Sequence, residues 1–564
     1  MTRLQFRVLY REFLFRVVDL ELLAEDGDIS KLLGQFAALL IFCSLWLTPV
    51  AGLAGSAAGH NPMLGMMARW VAQHFLTATT MLAVGLFAVM SWESPFPDRR
   101  DVFVLSPLPI RARTMLTAKV AAVATALSIT VLALNSLTGL FLPMSYGFGG
   151  VVSAVRAFSA WWITQFAAGI FIFFSVLTVQ GLAQLLPRQV FLRLSSWIQT
   201  GFFVLMVTVY FLQPPFSELR NLLANERALR WVPSYWFFAL FQELNGTALP
   251  QLDFLVHRAW TGLLIAAAGA AAAYLICYLR TLRKIGEQPD ILPAQRGLHW
   301  LPPFGDSLQT AVAHFSVRTL LRSRSHRVVL TFYLGIGLGL SMFVSHLPEV
   351  YDRASGFGAW YRLNGPLLLA SMLITCAAIV GTRVVFAMPL QARANWIFRM
   401  MPHAGVARCL SASRRSLYTL SLAPVWTACA VLFFFLWPWR LAAEHLTMLA
   451  VLGVLVAELS LLHFHKIPFT CSYLPGKTKF NMALVYLALF FFVTQWAVDR
   501  EMAALADLVL YAKTFGLLLV LAVLAHWRTS SASHSEEGHV HFEETPDPVV
   551  FALDLHRDGV TTLQ

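Results

Sequence analysis

Apolar runs alternate with short polar, basic or proline-bearing segments along most of the chain. About twelve runs approach the roughly 20 residues that carry a helix across a hydrocarbon core. They are Leu32–Leu53, Trp70–Ser91, Val120–Leu142, Trp161–Leu185, Leu194–Leu212, Trp260–Leu279, Val328–Leu347, Leu367–Met388, Leu417–Trp437, Leu446–His463, Met482–Val498 and Leu505–Ala525. Lipid offers open backbone groups no partner, so each run is predicted to be helical. The expected fold is all-α: a polytopic membrane protein of about twelve transmembrane helices.

The polar segments suggest one plan used twice. The N-terminal segment mixes Arg3, Arg7, Arg11 and Arg16 with Phe6, Leu9, Tyr10, Phe13 and Val17, an amphipathic basic helix lying on the inner membrane surface rather than a cleaved signal peptide. A second such segment, Asp306–Arg327, carries Arg318, Leu321, Arg322, Arg324 and His326. The division expected is a first six-span half over residues 1–285 with its amphipathic lead-in helix, a polar, Pro-bearing linker over 286–305, and a second six-span half over 306–528. A mostly disordered cytoplasmic tail follows over 529–564. Duplicated halves are a common way to build a transporter around a central path.

Composition and charge narrow the class. Hydrophobic residues make up 58% of the chain and charged ones 13%, against roughly 25% charge in soluble domains. With the N-terminus inside, most of the Lys and Arg fall on the cytoplasmic side, so the net charge of +12 reflects positive-inside sorting. Both termini are then cytoplasmic. No basic block interleaved with aromatics marks a nucleic-acid surface. The six cysteines fall in the spans or on the inner side and imply no disulfide framework.

The loop after the second run carries the most specific signal. It reads Glu93-Ser-Pro-Phe-Pro-Asp-Arg-Arg-Asp-Val-Phe-Val-Leu-Ser-Pro-Leu-Pro-Ile-Arg-Ala-Arg113, a basic segment stiffened by Pro95, Pro97, Pro107 and Pro109. The equivalent loop of the second half runs from Pro389 to Arg408; laying Pro402 on Pro109 places Arg393 on Arg100 and Trp396 on Phe103. Between the fifth and sixth runs, Trp231-Val-Pro-Ser-Tyr-Trp-Phe-Phe suits a short helix or hairpin in the outer interface. Its counterpart, Asp499–Met502, is expected to be only a short loop.

These features resemble the type 2 ABC exporter permeases, the membrane half of an ATP-driven pump. The resemblance covers the six-span layout, the lead-in helix, the Pro-Asp-Arg-Arg and Pro-Leu-Pro-Ile elements, and the outer aromatic segment; the short second outer loop departs from it. It implies a double-length permease in a bacterial cytoplasmic membrane, in contact with lipid and docked to an ABC-type ATPase, two copies if the halves pair within one chain. The residues it assigns to coupling are Asp98, Arg99, Arg100, Asp101, Pro107, Pro109, Arg111, Arg393, Trp396, Arg399 and Pro402, with Arg7, Arg11, Arg16, Arg318 and Arg322 on the lead-in helices. Taken singly, these arginines also suit topology fixing and lipid phosphates.

The chain carries no phosphate-cradling loop of its own. Leu474-Pro-Gly-Lys-Thr478 comes nearest, but Cys471 occupies the position of the first glycine. ATP and Mg2+ would therefore sit on the partner, and no cofactor, metal or catalytic residue is assigned here. His463, His465 and Cys471 match no zinc spacing, and the histidines and glutamates of the tail suit a solvated segment. Lys513, Asp507, Glu458 and Arg383 fall within runs, and a mutual pair or snorkelling is expected to relieve the last two. The alternative is an ATP-independent secondary transporter or a polytopic enzyme acting on lipid. The first calls for intramembrane ion ligands or broken helices, and the second for clustered His, Asp or Glu at one interface.

Overall fold

A computed structural model describes residues 3–18, 29–58, 62–92, 94–96, 108, 110–146, 150–211, 229–247, 250–284, 306–345, 365–388, 406–462, 464, 467–470, 493–494, 496–535, 551–553 and 560–562. The chain divides into two compact units, the first within Met1–Arg296 and the second within Gly297–Leu474 and Tyr486–Gln564. The protein is a multi-pass helical one: among the described residues eight helices are long and apolar enough to cross a membrane. Phe36–Pro49, Trp197–Phe211 and His326–Met342 are shorter apolar stretches. The expected run Met482–Val498 lies mostly outside the described residues.

Unit 1 begins with α1 (Arg3–Val18), α2 (Ile29–Ala58) and α3 (Pro62–Met90). After the first basic loop come α4 (Ala112–Leu134), α5 (Thr138–Met144), α6 (Val151–Gln184) and α7 (Arg188–Phe211). The short α8 (Pro233–Asn245) and the long α9 (Asp253–Lys284) complete it. The run expected as one helix over Val120–Leu142 is broken between α4 and α5. Asn135 turns its side-chain amide onto the Val131 carbonyl at 3.0 Å and Thr80 Oγ1 at 3.1 Å. Ser44 Oγ of α2 accepts from the backbone N–H of Leu137 and Thr138. A neighbour's hydroxyl thus supplies what the interrupted helix lacks.

The aromatic segment forms a helix, as its sequence suggests, and it packs into the body of unit 1. Phe237, Phe238, Leu240 and Phe241 of α8 are buried among α3, α6 and α9. Gly246 ends the helix in the left-handed region at φ 76°, where glycine carries no Cβ penalty.

Unit 2 contains α10 (Ser307–Arg322), α11 (Arg324–Ser345), α12 (Gly365–Ala387) and α13 (Val406–Leu417). A π-helical segment, Tyr418–Leu422, joins α13 to α14 (Ala423–Leu436), so the two form one span. Then come α15 (Trp439–Leu461), α16 over residues 496–506 and α17 (Leu508–Ser535). Where a loop is expected at Asp499–Met502, the structure has α16. Asp507 is not a charge inside the last span: it stands at the break between α16 and α17, and its carboxylate accepts the Val509 N–H at 2.9 Å as an N-cap. Near the C-terminus, Phe551–Leu553 and Val560–Thr562 pair as a minute antiparallel ribbon.

Small residues set the closest helix approaches. A Cβ on Gly181 of α6 would fall 2.5 Å from the Ala273 Cβ of α9, and one on Gly337 of α11 2.5 Å from the Ala377 Cβ of α12. Helices in lipid associate through such packing, because the surrounding tails are as apolar as the side chains. Gly181→Leu and Gly337→Leu should each lower stability by about 1–3 kcal/mol, the usual cost of overpacking. Gly516→Ala, on an open face of α17 with nothing within 4 Å, should leave the melting temperature unchanged or slightly raised; thermal unfolding of the full chain in mild detergent checks all three.

Candidate functional site

In each unit the lead-in helix packs on the start of the helix that follows the basic loop: α1 on α4, α10 on α13. The apolar positions of α1 make this contact. Leu9, Phe13, Leu14 and Val17 form a buried cluster with Met115, Ala118, Ala122 and Ala126 of α4, and Tyr10 donates to Thr125 Oγ1 at 3.0 Å. The opposite face leaves Arg7 and Arg11 exposed. This end of each unit is called the lead-in end below.

The stem of the first basic loop is tied to the same place. Trp92, fully buried, donates from its indole to Ser195 Oγ at 3.1 Å. Lys119 of α4 donates to the Phe96 carbonyl at 2.5 Å and lies over the Phe13 ring at 5.2 Å. One ammonium therefore joins the loop stem, α1 and α4. An apolar cavity of about 370 Å³ lies beside it between α4, α6 and α9, lined by Val123, Leu127, Phe166, Phe173 and Tyr274 and bounded by Lys119.

Unit 2 fixes its own loop stem through different chemistry. Asp306 and Gln309 form a capping box that starts α10, and the Gln309 amide reaches Ser411 Oγ of α13 at 3.1 Å. His326, at the start of α11, is hydrogen-bonded to Ser323 Oγ and to the Met388 carbonyl, where the second basic loop begins. Phe469 is buried against the rings of Phe315, His326 and Phe386, and its N–H donates to the Phe386 carbonyl at 2.8 Å. Its φ of 65° is a left-handed conformation that a bulky residue rarely adopts. These three rings and the Phe386 carbonyl hold it there.

Charges within the helices do not pair as the sequence suggests. Glu458 of α15, fully buried, meets Arg414 of α13 rather than Arg383. Arg414 Nε lies 2.7 Å from Oε1, and Nη2 donates to Oε2 at 3.1 Å. Tyr418 of the π segment and Thr529 of α17 donate to the same carboxylate at 2.7 and 2.8 Å, and His526 Nδ1 is 3.0 Å from Oε1. Arg383 instead donates to the Ser460 carbonyl at 2.9 Å and lies over Phe464.

Away from the lead-in ends a histidine links the third helix of each unit to the short helix before the last. In unit 1, His74 of α3 is 3.0 Å from Ser234 Oγ and stacks on Tyr235 of α8. In unit 2, His445 of α15 stands between Ser371 of α12 and Glu501 of α16. Ser234 and Tyr235 belong to the aromatic segment that the sequence singles out, whereas nothing in the sequence singles out His74, Ser371, His445 or Glu501. His445 falls just before an apolar run, and Glu501 lies in the segment read as a short loop.

Asp98, Arg99, Arg100, Asp101, Pro107, Pro109, Arg393, Trp396, Arg399 and Pro402 lie outside the described residues. Arg111 is the exposed N-cap of α4, Arg16 lies on α1, Arg318 is half-buried on α10, and Arg322 is exposed at its end. The described coupling candidates thus sit at the lead-in ends. Comparison with protein-family models, curated proteins and solved structures finds no match for this chain.

The Glu458 cluster yields a direct expectation. Arg414→Met leaves a buried carboxylate without its permanent counter-charge and should cost about 3–5 kcal/mol. The double variant Arg414→Met/Glu458→Met, which removes both charges, should recover most of that loss in a thermal melt.

Proposed function

We propose that this chain is the membrane-spanning permease subunit of an ATP-driven exporter of the type 2 ABC class, built from two six-span halves that couple through cytoplasmic loops to separate ATPase subunits. The observation that carries this reading is the lead-in helix of each unit, seated on the first turns of the helix after the basic loop. A soluble motor acts on membrane helices only through a stiff element at their ends. In unit 1 the loop stem, the lead-in helix and α4 share the Lys119 ammonium. In unit 2, His326 and Phe469 lock the start of the second loop to α10 and α11.

Further support comes from α8 and α16, which precede the last helix of their units in the place where the exporter family carries outer helices. Positive-inside sorting puts the lead-in ends and both termini in the cytoplasm, in the inner membrane of a bacterium. ATP and Mg2+ belong to the partner.

Purification of the tagged full chain from its native membrane in mild detergent tests the reading. A protein bearing a phosphate-binding loop should co-purify, and Arg99→Glu/Arg100→Glu should reduce its recovery about tenfold, equivalent to ~1.4 kcal/mol of binding, with membrane insertion unchanged. Recovery of the chain without any such partner, from membranes where ATPase subunits are detectable, would overturn it.

A further inference from the structure

At the far end of unit 2, three buried side chains from three helices stand in line. Ser371 Oγ lies 3.0 Å from His445 Nε2, and His445 Nδ1 lies 2.7 Å from Glu501 Oε1. Their exposures are 4%, 0% and 2%. Phe433 and Trp437 close around the imidazole with ring centroids at 4.5 and 5.9 Å. The second carboxylate oxygen, Glu501 Oε2, is buried and has no hydrogen-bond partner among the described residues.

The order serine, histidine, carboxylate invites comparison with a nucleophilic triad, but the surroundings fit another task. Ser371 lies inside α12, where the helix ladder engages the backbone N–H groups that an oxyanion would need. Its hydroxyl donates to the Leu368 carbonyl at 2.7 Å. With that proton directed along the helix, the hydroxyl faces the ring as an acceptor, and so does the carboxylate. A ring between two acceptors is satisfied when both of its nitrogens carry hydrogen.

We propose that His445 and Glu501 form a proton-binding site in unit 2. The pair holds one exchangeable proton: with it, imidazolium and carboxylate sum to zero charge; without it, a buried negative charge remains. An uncompensated charge is strongly disfavoured in an apolar interior, so loss of the proton requires water to enter between α12, α15 and α16. Proton binding is thereby linked to closure of this end. Glu458 makes the contrast, since its partner Arg414 is permanently charged and both its oxygens accept hydrogen bonds.

The other charged and titratable groups around the pair have positions of their own. On α15, Glu444 is paired with Arg440 at 2.8 Å. On α16, Asp499 adjoins Arg500, which lies over Trp496. On α17, Asp507 caps the helix, and Tyr511 is within electrostatic reach of Glu501 while its hydroxyl meets Thr447 Oγ1 at 2.6 Å and donates to the Glu444 carbonyl at 3.1 Å. From α12 come Ser371 and Thr375, and α14 contributes the Cys429 thiol to the same core cluster beside its apolar rings. This site is independent of the exporter reading and stands whether or not an ATPase is the partner.

Infrared pH titration of the full chain in lipid nanodiscs tests the proposal. The wild type should show an imidazole ring band that changes with pH, is absent from His445→Gln, and is altered in Glu501→Gln. Ser371→Ala, which removes only a small hydroxyl, should displace the same band if the larger changes prevent folding. Spectra of His445→Gln or Ser371→Ala that superimpose on the wild type at every pH would overturn the proposal. So would a band that moves when choline is replaced by sodium, because the ligand would then be a metal cation.

Discussion

Hydrocarbon supplies no hydrogen bonds and tolerates little charge, and the polar architecture of this protein answers to that constraint. A helix that stops within an apolar run must find partners for the groups it frees. Between α4 and α5 they come from Ser44 on a neighbouring helix; at the start of α17 they come from Asp507 in the chain itself. The same rule governs buried charge: Glu458 gathers donors from α13, the π segment and α17, so that one carboxylate fastens several helices.

The last helix shows how much depends on these polar fastenings. Only 6% of the apolar window of Leu508–Ser531 is buried within the protein, against 67% for Gly365–Ala387. Apolar packing therefore contributes little to its placement. Near its start, Tyr511 meets Thr447 and the Glu444 carbonyl; near its end, His526 and Thr529 meet Glu458. The helix is secured near its two ends and is largely uncovered between them among the described residues, whereas α12 is held along its length.

The sequence made the helices legible because a span must be long and apolar whatever its neighbours are. It could not show the interruptions. Nothing in Val120–Leu142 marks Asn135 as a break without knowing that Ser44 and Thr80 lie beside it. The lead-in helices were readable from their arginines and apolar residues, yet their resting place on α4 and α13 is a tertiary fact. The same holds for the charged residues: Arg383 and Glu458 look equivalent along the chain, while the partner of Glu458, Arg414, precedes the apolar run Leu417–Trp437 and so does not register as part of a span. His445 and Glu501 escaped notice because each borders an apolar run, where an ordinary solvated residue is also expected.

The π-helical segment Tyr418–Leu422 adds one more thing. A π turn holds an extra residue relative to the α ladder, and each residue of an α-helix turns the side chains by about 100°. The segment is thus a phase offset between the lead-in half of this span and its far half. With the offset, Arg414 and Tyr418 reach Glu458 while Phe433 still faces His445. A single-residue deletion there would keep every side chain that makes these contacts and the full apolar length, yet no straight helix would aim both sets at their partners. Residue count within this turn, rather than residue identity, is what keeps the two ends of unit 2 in register.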